Sequence, residues 1–140
     1  MIEMKVLSHT ITIQTSSDIE LIDITNNIEE FVKKSGIKKG IVVIFVPHAT
    51  AAIILEERES GLIDDIINKI KKEFPKGAGY KHDKIDDNAH SHIGSCFIGQ
   101  EKTLLIQNGN LIRGMWQSIQ FVELDGPRAE RKIIIQIVGK

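Results

Sequence analysis

One cysteine, three prolines, one tryptophan, one tyrosine and five phenylalanines are all that 140 positions hold of those residue types. A lone thiol, Cys96, closes no intramolecular disulfide, so the fold must rest on apolar burial. A buried, inert thiol is the ordinary fate of such a residue. Hydrophobic residues make up 41 % of the chain, enough for a core of common size and one domain over 1–140. No apolar run approaches the ~20 residues of a membrane span. The opening decapeptide, MIEMKVLSHT, lacks the basic region and long apolar run of a leader. The reading is a cytoplasmic protein with no membrane contact. Net charge is −1 and the pI about 6.5, so no overall positive field attracts nucleic acid.

What the chain does hold is isoleucine, much of it in strand-like alternation. Val6–Gln14 alternates with period two and reads as a strand, with His9 half-buried on the face of Ile11 and Ile13. Ser17 with Glu20 matches a capping box, which predicts a helix from Ser17 whose stripe is Leu21, Ile24, Ile28, Phe31 and Val32. Gly36 ends it. Gly40–Val46 is a continuous β-branched run, as in a strand buried on both faces, and Pro47 stops its pairing. Thr50–Leu55 is a further strand. Ser60–Phe74 has helical spacing, with Lys71 and Lys72 near its negative end. Lys102–Gln107, Leu111–Arg113, Gln117–Leu124 and Lys132–Val138 are strands, the first two joined by an Asn108-Gly109 hairpin turn. Asp125-Gly126-Pro127 turns the chain between the last two. Seven strands and two helices in this order predict an α+β fold with a largely antiparallel sheet or sandwich.

The segment between the second helix and the late strands is the least core-like. Tyr80–Cys96 reads YKHDKIDDNAHSHIGSC and carries His82, His90 and His92 with Asp83, Asp86 and Asp87. Neutral imidazoles and carboxylates are the donors a divalent metal needs. On an extended chain His90 and His92 share a face; on a helix they diverge and one drops out. His82 or His48 would supply a third imidazole, leaving an open position for a substrate oxygen. His48 follows a buried strand and either presents a reactive group there or caps a turn. Asp86 and Asp87 suit either a magnesium ion held through pyrophosphate or a cap of the next segment. Ser91 and Ser95 lack a nucleophile elbow, and no Walker or dinucleotide glycine motif is present. Arg113, Arg128 and Arg131 cluster in the tail, where guanidinium forks suit phosphate.

The stretches PHATAAI (47–53), Glu57, His82-Asp83, DDNAHSHIGS (86–95), GNLIRGMWQ (109–117) and ELDGPR (123–128) together resemble the YjbQ family, across nearly the whole chain and in the same order. The resemblance implies an α+β fold with a seven-stranded sandwich, a homotrimer, and secondary thiamine-phosphate synthase activity. That reaction joins a hydroxymethylpyrimidine pyrophosphate to a thiazole phosphate with release of pyrophosphate. His48, His82 and His92 match the family's histidines, whereas His90 falls where members differ. Ala49 and Met115 depart from the usual threonines. On this pattern His48, His82 and His92 would hold a divalent metal, zinc suiting imidazoles best. His82 is then central to the catalytic site, with Asp83 orienting an imidazole and Glu57 a general base or a second orienting group. Arg113, Arg128 or Arg131 would meet the second phosphate. Trp116 either stacks on a substrate ring or sits in the core. Two other functions fit the same residues: a metal-dependent phosphohydrolase, and a non-enzymatic trimer that binds a metal or small ligand.

Overall fold

Alternating isoleucine and valine can bury one face of a strand against another layer, and the chain uses this twice. The computed structural model describes residues 3–140; Met1 and Ile2, at the head of the opening decapeptide, lie outside the described residues. The elements run β1 (Lys5–Ile13), β2 (Glu20–Asp23), α1 (Thr25–Ser35), β3 (Lys39–Phe45), β4 (Ala51–Glu56) and α2 (Ser60–Glu73). A short 3-10 turn (Lys81–Lys84) then leads to α3 (Ala89–Ile98), β5 (Glu101–Gln107), β6 (Asn110–Ile112), β7 (Ser118–Glu123) and β8 (Arg131–Gly139).

Two antiparallel sheets result, one of order β1-β8-β3-β5-β6 and one of order β2-β7-β4. The larger core lies between them and includes Ile44, Ile53, Phe121, Ile133 and Ile135, with Ile28 and Val32 of α1. A second core, with Leu21, Ala52, Ile70, Val122 and Leu124, lies on the other face of the small sheet, and Ile63 and Ile66 of α2 pack against it with Phe74 just past the helix end. The layers are therefore large sheet, small sheet, then α2 and α3. No helix among the described residues is long and apolar enough to cross a membrane.

All seven expected strands are present, and the fold is α+β, but with eight strands in two sheets and three α-helices among the described residues. The extra strand is β2. The capping box at Ser17 does not start a helix: Glu20 accepts from the Ser16 amide at 2.8 Å, and Glu20–Asp23 pairs with Gln120–Glu123. Ladder pairing lets Leu21 face one core and Ile22 the other, which a helix starting at Ser17 would not do. The helix begins at Thr25, where Asp23 Oδ1 accepts from the Thr25 amide at 3.0 Å and hydroxyl at 2.6 Å. The extra helix is α3.

Helix α3 covers the outer edge of β4. The Ser95 hydroxyl donates to the Ala51 carbonyl at 2.6 Å, and the Ile53 amide donates to the Gly99 carbonyl at 3.0 Å. Ser91 donates to the Leu124 carbonyl. Serines four apart lie on one helix face, so α3 docks on the sheet largely through hydrogen bonds. Gly94 sits at the same contact, where an added Cβ would lie 3.3 Å from Leu124 and 3.4 Å from Phe74.

Candidate functional site

The start of α3 gathers the polar residues of the Tyr80–Cys96 stretch. Asp83, in the 3-10 turn, accepts from the first amide of the helix, Ala89, at 3.1 Å, where a carboxylate complements the positive end of the dipole. Asn88, 7 % exposed, sits at the N-cap position and turns its side chain to two partners. Its Nδ2 donates to Asp125 Oδ2 at 2.9 Å, and its Oδ1 lies 3.1 Å from His82 Nε2. With Nδ2 committed as donor, Oδ1 must accept, so His82 carries its proton on Nε2 and leaves the Nδ1 lone pair free. The residue that fixes His82 is therefore Asn88, and Asp83 serves the helix end. The signal for Asn88 was available as the asparagine preference at N-caps, but it spoke of structure and not of the site.

His82 and His92 meet edge to face, with ring centroids 4.8 Å apart and planes inclined by 68°. They line a cavity of about 430 Å³ with Tyr80, Lys81, Ala89 and Ile93. On the helix His90 diverges from His92, as two residues at ~100° each require. It lines a separate cavity of about 300 Å³ with Asp18, Lys71 and Asp125. His90 Nδ1 is buried without a partner among the described residues.

A hydrogen-bonded chain runs on from His82. Asp125 Oδ2, held by Asn88, also takes Arg128 Nη2 at 2.7 Å, and the Asp125 amide donates to Glu123 Oε2 at 3.1 Å. Glu123 is fully buried. It accepts from the Thr15 hydroxyl at 2.6 Å, from the Leu124 amide at 3.0 Å and from the guanidinium of Arg131. Burial alone would raise its pKa, but the hydrogen bonds from Arg131, Thr15 and Asp125 and the charge of Arg131 hold it below the ordinary carboxylate value. Arg131 also donates to the Thr50 hydroxyl at 3.0 Å and carbonyl at 3.2 Å. It is 5 % exposed, so its fork serves Glu123 and Thr50 and is not presented to a phosphate.

His48 lies beside this pair. Its Nε2 accepts from the Lys132 amide at 2.8 Å, which places the proton on Nδ1. Burial, and then the Arg131 charge, lower its pKa, so the ring is neutral near pH 7. Within one chain His48 does not join His82 and His92, and among the described residues no group of three or more His, Cys, Asp or Glu side chains is placed to hold a metal.

The remaining expected residues lie elsewhere. Glu57 follows the far end of β4 and Arg113 precedes β7. Because Ala51 pairs with Glu123 and Glu56 with Ser118, five residues of strand, about 16 Å, separate that end from Glu123. Arg113 binds Glu29 Oε1 and the Gln117 carbonyl at 2.9 and 2.7 Å. Trp116 is 68 % exposed on the adjoining loop and is not a core residue. Cys96 is exposed too, not buried. Asp86 and Asp87 face solvent; Asp86 accepts from the Asp87 amide, and Asp87 lies 3.9 Å from Lys76.

Comparison with known proteins agrees with this fold. A family model described as UPF0047 protein YjbQ-like matches residues 9–140. A UPF0047 protein of Methanothermobacter thermautotrophicus is 41 % identical over 98 % of this chain and 95 % of its own. One of Archaeoglobus fulgidus is 39 % identical over 89 % of this chain and 96 % of its own. A crystal structure of a YbjQ-like protein of unknown function from Sulfolobus solfataricus is 49 % identical, covers 99 % of this chain and 100 % of its own, and superposes with a TM-score of 0.97.

Proposed function

The chain belongs to the YjbQ-like UPF0047 family, and on that premise we propose that it is a cytoplasmic, metal-assisted transferase of the secondary thiamine-phosphate synthase type. The observation that carries the reading is the His82–His92 pair: two adjacent imidazoles, one with its tautomer fixed by Asn88, opening on a cavity. His82 Nδ1 and a ring nitrogen of His92 fit as two ligands of a divalent ion, zinc by preference. Such an ion, when bound, would neutralise the charge of a leaving pyrophosphate, and magnesium could arrive with that substrate. The chain's own residues orient and position. Asn88 holds His82, Asp125 holds Asn88, and Arg128 is anchored in turn on Asp125. In the reaction a C–N bond forms to the thiazole nitrogen as the C–O bond to pyrophosphate breaks, and pyrophosphate leaves with the electron pair.

One chain supplies two of the three matching histidines. A homotrimer in which a neighbouring copy brings His48 completes the set. Two apolar surfaces favour that arrangement. The outer face of the large sheet carries a row of Val6, Val138, Ile41, Leu105 and Ile112, one residue per strand and each paired with the next. Phe45 and Ile134, 43 % and 37 % exposed, continue it toward His48. Near His82 and His92, Ile85 and Phe97 are 86 % and 76 % exposed. Two different patches that are complementary to each other close a ring by head-to-tail contacts.

The test is product formation by the zinc-loaded protein from the two thiamine precursors, compared with His82→Ala and His92→Ala. Thiamine phosphate from the wild type and its loss in both variants is the expected result. No product from the metal-loaded wild type ends the transferase reading. Phosphate release from simple esters in its place would mark a phosphohydrolase.

A further inference from the structure

Away from the histidine pair, a cavity lies between β1 and α1. It has a volume of about 500 Å³ and is walled by Leu7, His9, Phe31 and Asn27, with Lys5, Glu30, Lys34 and Ser35. A second cavity of about 440 Å³ shares Lys5 and continues past Lys38, Lys39 and Lys140. The two form one trough, and both volumes fall in the range of small-molecule sites. No residue of it lines the His82–His92 cavity.

The ends of the trough differ in chemistry. At one end His9 stacks on Phe31, ring centroids 5.2 Å apart and planes inclined by 30°. His9 is exposed rather than half-buried, because α1 does not cover it beyond that stacking contact. A ring pair with an open face takes a planar, unsaturated group by stacking. At the other end Lys5, Lys38, Lys39 and Lys140 converge from β1, the α1–β3 connection, β3 and the residue after β8. With Lys34, the trough has five ammonium groups against the side-chain carboxylates of Glu3 and Glu30 and the carboxylate of Lys140; Glu30 is already paired with Lys34 at 2.7 Å, and Lys140 O accepts from the Lys38 and Lys39 amides at 2.9 Å. The chain as a whole carries −1, so this positive concentration is local. Lys34 complements the end of α1, but the other four lysines lie outside that helix. Converging cations on a concave surface favour an anion, and a phosphate chain satisfies several ammoniums at once.

We propose that this trough binds a phosphorylated compound with a planar ring, of the nucleoside diphosphate class, its ring on His9 and Phe31 and its phosphates among Lys5, Lys38, Lys39 and Lys140. The site is separate from the histidine pair and does not depend on the transferase reading.

A titration of the isotope-labelled full chain, followed by amide chemical shifts, tests it with ADP, adenosine and inorganic pyrophosphate as probes. ADP should bind at least about tenfold more tightly than adenosine or pyrophosphate, since only ADP uses both ends. Shifts should fall on residues 5–9, 27–39 and 138–140. His9→Ala should weaken ADP severalfold and leave pyrophosphate unchanged. Lys5→Glu with Lys39→Glu, both exposed, should weaken ADP and pyrophosphate alike by about tenfold or more, in keeping with the loss of charge contacts. Pyrophosphate binding as tightly as ADP, shifts confined to residues 80–93, or no ADP binding at all would overturn the proposal. Synthase activity is not read in this experiment, so its loss or presence leaves the outcome untouched.

Discussion

Glu123 and Arg131 are charges taken out of water, and such a pair holds only while every lone pair and proton has a partner. Glu123 has four sets of donors and Arg131 two acceptor residues. Glu123→Gln leaves the guanidinium buried without its counter-ion, and denaturant unfolding at pH 7 should show a loss of about 3–5 kcal/mol. The pH dependence has a definite sign. The folded pKa of Glu123 lies below the value of 4.5 for the free group, so the unfolded chain binds the proton more readily. Its contribution is complete above that value and falls away as pH drops through the depressed folded pKa. Unfolding curves of wild type between pH 7 and 3 should lose stability mainly below about pH 4.5, and Glu123→Gln should lack that component. Asn88 is the corresponding test for the proposed metal pair. Asn88→Ala frees the His82 ring to turn, and zinc affinity measured with a competing chelator should fall about 10- to 100-fold. An unchanged affinity would separate Asn88 from the role assigned to it.

Among the elements, those with a strong apolar period were legible and those built on small polar residues were not. Val6–Gln14, Gly40–Val46 and Lys132–Val138 were plain because β-branched residues alternate or run together there. α2 was plain because Leu62, Ile63, Ile66 and Ile70 recur at helical spacing. β2 was misread because a local capping pattern was weighed without its partner, and only pairing with β7 shows that Leu21 and Ile22 serve opposite cores. α3 was missed because its buried face is Ala89, Ser91, Gly94 and Ser95, which carries almost no hydrophobic signal. Of the candidate site, the His82–His92 pair followed from the family resemblance, because spacing on its own paired His90 with His92. The Asn88–Asp125–Arg128 link was not readable, since it joins residues 37 positions apart. Tight backbone approaches are equally invisible until β3 and β8 are paired. Gly40 opposes Gly139, and a Cβ on Gly40 would run into the Val138 carbonyl oxygen and lie 2.8 Å from Gly139 Cα. Gly40→Ala should therefore destabilise by about 1–3 kcal/mol through overpacking, read as a lowered melting temperature. A neutral result would mean that the two strands separate locally at little cost.

At the scale of the whole molecule, one broad face stays uncovered. The row from Val6 to Ile112 crosses five strands, about 19 Å at the usual spacing, with the uncharged Ser8, Gln136, Val43 and Thr103 beside it. If copies meet there, Ile41→Lys with Leu105→Glu should convert the proposed trimer to a monomer in sedimentation equilibrium, and zinc stoichiometry should drop as His48 is withdrawn. A wild-type monomer would contradict the assembly directly. The opposite side of the molecule is treated differently, for α3 leaves the outer edge of β4 with its Ala51 carbonyl and Ile53 amide already occupied. Ala51–Leu55, AAIIL, is the kind of uncharged, β-prone segment that grows fibrils by edge-to-edge addition. The helix that carries His92 is thus also what keeps that strand from recruiting another chain, and a mutation that undocks α3 would open the strand edge to aggregation as well as break up the histidine pair.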